Sequence, residues 1–169
     1  EFVKSMNKAM KKINCDKIVA QRFPDGASES DEKQARNECD IMKKRIQGYI
    51  DRIAYGEKCG TDLACYTKTL EDKGDANTER AIYSMYRIAR DNPAKTDEVV
   101  KVLMATLNNP SKMAMQANIF ALDRLTPKGG KELVERIQEV WKEFSRQSTY
   151  KDRARMLEAF IGHVRARGR

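Results

Sequence analysis

The stretch "AIYSMYRIA" (Ala81–Ala89) is matched in its apolar spacing by "NIFALDRLT" (Asn118–Thr126), 37 residues further along the chain. A third copy, "LEAFIGH" (Leu157–His163), follows the second at an offset of 38 residues. The corresponding apolar positions are Ile82, Ile119 and Leu157, and then Met85, Leu122 and Phe160. Each copy follows a second helical stretch and a polar turn, so the repeating unit is predicted to be a pair of helices. A period of this length, made of paired helices, is typical of an α-solenoid.

The rest of the 169-residue chain is also predicted to be helical. Helix-forming residues dominate, alternating β-branched runs are absent, and nearly all of the 4 prolines and 9 glycines lie between the periodic stretches. The length suits one ordinary domain with a core. We therefore predict an all-α fold, and no apolar run is long enough to span a membrane.

The repeats resemble those of the HEAT-repeat family of armadillo-like α-solenoids, in particular bacterial HEAT-like repeat proteins. The resemblance rests on "RAIYSMYRIA" and "QANIFALDRL" and covers roughly residues 61–165. It implies a right-handed α-solenoid of about three helix pairs, in which the second helices line a concave surface. The proline usual in the first helix and the Asp-Val-Arg of the turn are absent, so a generic or TPR-like helical array remains an alternative.

The first 58 residues do not match the repeats and are predicted to form an N-terminal helical hairpin or cap. Its first helix is expected over residues 2–23 and its second from Ser30 or Asp31 to Gly56, with the turn "PDGASES" between them. A buried seam is predicted along the second helix at Cys39, Met42, Ile46, Tyr49 and Ile53. Residues 59–169 are assigned to the repeats, which pack as one continuous domain.

The four cysteines do not have the spacing of a metal site. Structural zinc requires about four ligands in tight pairs, whereas these cysteines are separated by 24, 20 and 6 residues and no Cys-x-x-Cys is present. Disulfides are the favoured interpretation, with buried free thiols in a cytosolic protein as the alternative. Disulfides would indicate an exported protein, periplasmic or extracellular.

Helix geometry favours the pairs Cys15–Cys39 and Cys59–Cys65 among the three possible connectivities. Cys15 and Cys39 are equidistant from residue 27, so an antiparallel hairpin places them at one height. On a straight helix Cys59 and Cys65 would lie about 9 Å apart along the axis, which is too far for a bridge. Gly60 must therefore interrupt the chain between them, with Thr61 or Asp62 as the cap of the next helix.

The net charge of +8 is concentrated towards the C-terminus. Residues 111–169 carry a net charge of +6, compared with +3 for residues 1–58 and −1 for residues 59–110. Most of the excess comes from Arg153, Arg155, Arg165, Arg167 and Arg169. Such a patch can attract phosphate or an acidic protein surface, although it can also be a solvated helix face.

Motifs of known catalytic sites are absent: there is no Gly-x-Ser-x-Gly, His-Glu-x-x-His, P-loop or dinucleotide fingerprint. The single histidine, His163, is interpreted as a half-buried surface group. The segment "KGGK" (Lys128–Lys131) could hold an anion at a helix start, but a glycine-rich turn explains it as well. We predict that the protein is not an enzyme and carries no cofactor or metal.

Two arginines recur at equivalent repeat positions, Arg87 and Arg124. Since the resemblance places second helices on the concave surface, these arginines could form a ladder there, flanked by Tyr83, Tyr86 and Trp141, with core packing as the favoured interpretation for Trp141. An alternative is that each arginine pairs with a nearby acid such as Asp123. The predicted function is a scaffold that binds a protein or peptide partner, which could be acidic. Nucleic-acid binding through the basic C-terminal region is the alternative. The predicted partner-binding residues are Tyr83, Tyr86, Arg87, Arg124, Arg155 and His163.

Overall fold

The computed structural model describes residues 1–167, which are mostly helical and contain no strand. The described residues form nine α-helices and two short 3-10 turns, which confirms the predicted all-α class. The helices are α1 (Phe2–Lys11), α2 (Cys15–Arg22), α3 (Glu29–Cys59), α4 (Leu63–Glu71), α5 (Thr78–Asp91), α6 (Thr96–Ala105), α7 (Lys112–Leu125), α8 (Lys131–Ser145) and α9 (Lys151–Arg167). Packing divides the chain into two compact units, Glu1–Lys58 and Cys59–Arg169.

In the N-terminal unit, the single first helix predicted over residues 2–23 is in fact two helices, α1 and α2. The chain leaves the helix after Lys11, and Asn14 begins α2 by accepting a 3.1 Å hydrogen bond from the Lys17 N–H. An asparagine at this position satisfies an N–H that would otherwise have no partner, and so favours a new start. The break also places Cys15 in the first turn of α2.

The disulfide Cys15–Cys39 joins α2 to α3 with a Cα–Cα distance of 5.7 Å. Two ion pairs lie beside the disulfide, Arg36 with Asp16 at 3.1 Å and Arg22 with Glu38 at 2.9 Å. The hydrogen bond from Arg22, helped by one from Gln34, lowers the pKa of Glu38. Helix α1 also contacts α3, since the Gln47 side chain of α3 donates a hydrogen bond to the Asn7 side chain of α1 at 3.4 Å.

Helix α3 differs from the prediction at its ends and on its buried face. Ser28 precedes it and accepts a hydrogen bond from the Asp31 N–H, and the helix continues past Gly56 to Cys59. The buried apolar residues of α3 within this unit are Ala35, Cys39 and Ile50, whereas Met42 is 46% and Tyr49 63% exposed. The predicted seam is therefore wrong at Met42 and Tyr49, because α1 and α2 cover a neighbouring face of α3.

The second disulfide, Cys59–Cys65, has a Cα–Cα distance of 5.5 Å. As predicted, Gly60 interrupts the chain between the two cysteines: its φ is +54°, a conformation that glycine adopts at little cost. Asp62 then caps α4 by accepting from the Ala64 N–H at 2.9 Å, and the Tyr66 hydroxyl donates to the Gly60 carbonyl at 2.7 Å. Both predicted cysteine pairs are thus confirmed.

In the C-terminal unit, the helices pack as consecutive pairs, α4 with α5, α6 with α7, and α8 with α9. The second helices also contact one another, α5 with α7 and α7 with α9. Their repeated apolar residues form the core, as the spacing predicted. The residues at these repeat positions that are buried in the core are Ile82, Met85, Leu122, Leu157 and Phe160, while Ile119 is partly exposed.

Side chains donate hydrogen bonds to backbone carbonyls of earlier helix pairs in this unit, and three of these bonds lie near helix ends and turns. Asn109, which follows α6, donates to the Lys73 carbonyl after α4 at 3.5 Å. Arg136 of α8 donates from Nε to the Met104 carbonyl of α6 at 2.9 Å. Arg153 of α9 donates from Nε to the carbonyl of Pro110, just before α7, at 3.2 Å. These bonds satisfy carbonyls at helix ends and turns that lack a partner within their own helix.

Candidate partner-binding surface

Three aromatic rings and one guanidinium meet on the solvent side of α5 and α7. The Phe120 ring makes edge contacts with Tyr83 and Tyr86, with centroid separations of 5.7 and 5.4 Å and interplanar angles of 63° and 73°. The Cζ atom of Arg124 lies 4.6 Å from the Phe120 centroid. We call Tyr83, Tyr86, Phe120 and Arg124 the aromatic–arginine patch.

The repeat itself brings this patch together. Tyr83 and Phe120 follow the equivalent apolar residues of α5 and α7, and these helices are packed against each other. Arg124 comes four residues after Phe120, so it lies one turn further on the same face of α7. The Tyr83 and Phe120 side chains remain 37% and 36% exposed, because the buried faces of both helices point the other way.

Arg87 and Arg124 occupy equivalent positions but have different surroundings. Arg87 is exposed, and its Nη2 donates to the Ser84 hydroxyl at 3.4 Å. Arg124 stacks on Phe120 rather than pairing with its neighbour Asp123, whose carboxylate is taken by α9. The alternative that Asp123 neutralises Arg124 is therefore wrong.

The predicted site residue His163 lies in a second cluster, around Asp123. The Asp123 Oδ1 is 3.2 Å from Nε2 of His163 and 2.9 Å from Nη2 of Arg167. Nη1 of Arg167 also donates to the Asp123 carbonyl at 2.9 Å. Arg167 therefore ties α9 to α7, and His163 forms an ion pair there whenever its imidazole is protonated.

The C-terminal arginines named from the sequence do not gather at the aromatic–arginine patch. Arg155 is exposed on α9, and Arg153 is used internally, by the Pro110 carbonyl and by a contact of its Cζ with the Tyr150 ring at 5.5 Å. Arg169 lies outside the described residues. The structure thus brings together Tyr83, Tyr86 and Arg124, and adds Phe120, which the sequence-based list did not contain. Its alignment with Tyr83 in the repeat was the signal that could have found it.

A groove between α8 and α9 contains the "KGGK" turn and Trp141. One part of it is lined by Lys128, Lys131 and Arg165, with Val134 and Val164 at its base. The adjoining part is lined by Trp141 and Ile161 and shares Arg165 and Gln138 with the first. We expected core packing for Trp141, but its side chain is only partly buried and forms part of this groove.

Gly129 in the same turn is closely packed against α9. Its φ is +63°, and a Cβ atom at this position would lie 3.0 Å from Val164 Cγ1 and 3.2 Å from the Val164 carbonyl oxygen. Because the Val164 carbonyl oxygen belongs to the backbone of α9 and cannot easily move, there is little room for a side chain at position 129.

We expect Gly129→Ala to lower the free energy of unfolding by about 1–3 kcal/mol, because it adds backbone strain and a steric overlap with Val164. Urea unfolding followed by circular dichroism would measure the change. Gly162→Ala is the matched control: Gly162 lies inside α9, and a Cβ atom added there would meet no atom within 4 Å, so alanine should stabilise by roughly 0.5–1 kcal/mol. Equal effects of the two substitutions would contradict the packing described for Gly129.

Comparison with known proteins yields no relative: no family model, no curated protein and no solved structure matches the chain. The HEAT-repeat resemblance therefore rests on the repeat pattern alone. Within residues 1–167, no helix combines the length and the apolar character needed to cross a bilayer. The same residues contain no group of three or more His, Cys, Asp or Glu side chains that could hold a metal ion.

Proposed function

We propose that the helix pairs α4/α5, α6/α7 and α8/α9 form a right-handed α-solenoid of three HEAT-like repeats. The order in which the second helices pack, α5 on α7 and α7 on α9, supports this arrangement. Links between successive pairs support it as well, since Asn109 reaches back 36 residues to Lys73, and Arg153 reaches back 43 residues to Pro110. In such an array the aromatic–arginine patch lies along the second helices, on the concave side.

The proposed function is that of a non-catalytic scaffold that binds a protein or peptide partner at the aromatic–arginine patch. The observation that carries it is the contact of three partly exposed rings with a stacked guanidinium. Tyrosine and arginine are enriched at the energetic centres of protein interfaces, where large side chains bury much area for little loss of conformational freedom. Here the rings already hold one another in place, which lowers the entropy cost of binding further.

The partner is proposed to be acidic at the contact. Arg124 and Arg87 carry positive charge on this surface, and the carboxylate of Asp123, which precedes Arg124 in the chain, is occupied by Arg167 and His163. An Asp or Glu of the partner could therefore pair with Arg124 without competition from within the chain. An aromatic or aliphatic residue next to that acid would cover the Phe120 ring.

Nucleic-acid binding remains the second candidate, because aromatic rings and arginines can also stack on unpaired bases. The C-terminal arginines support it only in part. Arg153 and Arg167 are engaged by backbone carbonyls, while Arg155 and Arg165 are exposed. The number of arginines that could contact phosphate in this region is thus smaller than the sequence suggests.

Selection of a random peptide library on the full chain should enrich peptides with an acidic residue beside an aromatic or aliphatic one. We expect Phe120→Ala to weaken their binding by about tenfold or more, as measured by fluorescence anisotropy, because truncating a central interface residue costs more than ~1 kcal/mol. Arg124→Lys keeps the charge but loses the planar stacking group, and should weaken binding less.

Met113→Ala is the matched control for this experiment. Met113 is exposed on the same helix, about 10 Å before Phe120 along the helix axis. Peptides that bind the Phe120→Ala variant as well as the wild type would contradict the proposal. Retention of a single-stranded oligonucleotide that depends on Phe120, with an affinity that falls steeply with salt, would instead favour nucleic-acid binding.

An exported location, periplasmic or extracellular, is proposed from the cysteines. All four cysteines are in disulfides and none is free. Disulfides persist in oxidising compartments and are rare in the reducing cytosol of most organisms.

A further inference from the structure

Helix α3 has an exposed face whose apolar side chains have acidic residues on their N-terminal side and arginines on their C-terminal side or between them. Its members are Asp31, Glu38, Ile41, Met42, Arg45, Tyr49 and Arg52, and all of them are exposed. At 100° per residue they fall within about 100° of the helix surface. We call this the outer face of α3, and it is distinct from the face that Cys39 and Ile50 turn towards the core.

The middle of the outer face is apolar, and nothing in residues 1–167 buries it. Ile41, Met42 and Tyr49 are 43%, 46% and 63% exposed. The Cζ atom of Arg52 lies 4.5 Å from the centroid of the Tyr49 ring, so the aromatic side chain is already held against the helix. Adjacent exposed apolar groups of this kind mark interaction surfaces more often than isolated ones do.

The charge of α3 is divided between its two halves. Residues 29–40 contain five acidic and two basic side chains, a net charge of −3, and residues 41–59 contain five basic and two acidic ones, a net charge of +3. Two copies of α3 in antiparallel orientation would place each acidic half beside a basic half. A parallel pair would place like charges together, which is unfavourable.

We propose that the outer face of α3 binds the same face of a second copy of this chain in an antiparallel pair. Aligning Ile41 with Met42 of the other copy sets the register. Glu38, which also pairs with Arg22 of its own chain at 2.9 Å, then faces Arg45 of the second copy, and Asp31 faces Arg52. The same two contacts occur twice, because a two-fold axis makes the interface self-complementary.

No like charges of the outer face oppose each other in this register, and Tyr49 lies opposite the uncharged Gln34. The contact would extend from residue 31 to residue 52, about 32 Å of helix at 1.5 Å per residue. Met42 and Tyr49, the two residues at which the seam predicted within the chain was wrong, lie on the outer face, whereas Ile46 and Ile53 lie beside it and are partly buried.

The mass of the full chain in solution tests the proposal. Sedimentation velocity over a concentration series up to about 1 mM should give a species of twice the 19.4 kDa chain mass. Tyr49→Glu places a charge in the apolar centre and should return the protein to the monomer, whereas Met113→Glu, at an exposed residue of the C-terminal unit, should leave the dimer intact. A wild-type chain that stays monomeric over this range, or a dimer that survives Tyr49→Glu, would overturn the proposal.

Charge reversal tests the orientation. Arg45→Glu and Glu38→Arg should each weaken the dimer by roughly tenfold, because each removes two symmetric ion pairs and adds repulsion. The double variant Glu38→Arg/Arg45→Glu should restore association, since the swapped charges again face each other only in the antiparallel register. Unfolding temperatures of all variants would verify that the fold is retained. Additive weakening in the double variant would reject the register.

Discussion

Replacing Cys15 and Cys39 together with alanine should loosen the N-terminal unit by roughly 3.5 kcal/mol, the value that the loop-entropy model gives for a closed loop of about 25 residues. The loss should be severe because this unit has few other buried apolar groups. Apart from the two cysteines, its buried apolar residues are Met10, Val19, Ala35 and Ile50. The ion pairs beside the disulfide are exposed and contribute little.

Hydrogen exchange of the α2 amides, resolved by mass spectrometry, would measure this effect within the unit. Exchange should become faster by roughly two to three orders of magnitude, since every ~1.4 kcal/mol corresponds to a factor of ten. The matched control is Cys59→Ala/Cys65→Ala, which opens a much shorter loop worth about 2–2.5 kcal/mol and should speed exchange in α4 instead of α2. Unchanged α2 protection in the Cys15/Cys39 variant would show that packing alone holds the hairpin.

Leu122→Ala should destabilise the C-terminal unit by about 3 kcal/mol, within the range of 2–5 kcal/mol for buried leucines. Leu122 is completely buried in α7, the helix that packs against α5, α6 and α9. The cavity would therefore open at the centre of the helix array. For a unit of about one hundred residues, the midpoint of thermal unfolding should fall by roughly 10 °C or more.

Scanning calorimetry of Leu122→Ala and Met113→Ala would compare two truncations on one helix. Met113 is 54% exposed, so its substitution should change the free energy of unfolding by no more than about 0.5 kcal/mol. Similar losses of stability in the Leu122→Ala and Met113→Ala variants would mean that the face of α7 containing Leu122 is not the buried one. A selective loss at Leu122 would support the packing of α7 on its neighbours.

Much of the C-terminal unit could be predicted from the sequence, because its apolar residues recur at helical spacing and have one stable way to be buried. Ile82, Met85 and Leu122 are in the core as the repeat indicated. The cysteine pairs were also predictable, since helix length and the break at Gly60 leave few arrangements that satisfy disulfide geometry.

The candidate site was predicted only in part. Tyr83, Tyr86 and Arg124 lie together as expected, but the ring at their centre is Phe120, and Arg124 stacks on it instead of meeting an acid. His163 and Arg167 converge on Asp123 from α9. Contacts between side chains of different helices depend on the relative position and rotation of those helices. The spacing of residues along one helix does not contain that information.

Taken alone, the sequence determined the all-α class, the positions of most helices in the repeat region, and the pairing of the cysteines, because these follow from local spacing, caps and loop lengths. Only the tertiary structure decided which of two apolar faces of α3 is buried. Met42 and Tyr49 have the same helical spacing as a core seam, yet they are exposed, because α1 and α2 pack against the face that contains Cys39 and Ile50. Burial depends on where the neighbouring element lies, and that position is a property of the folded chain.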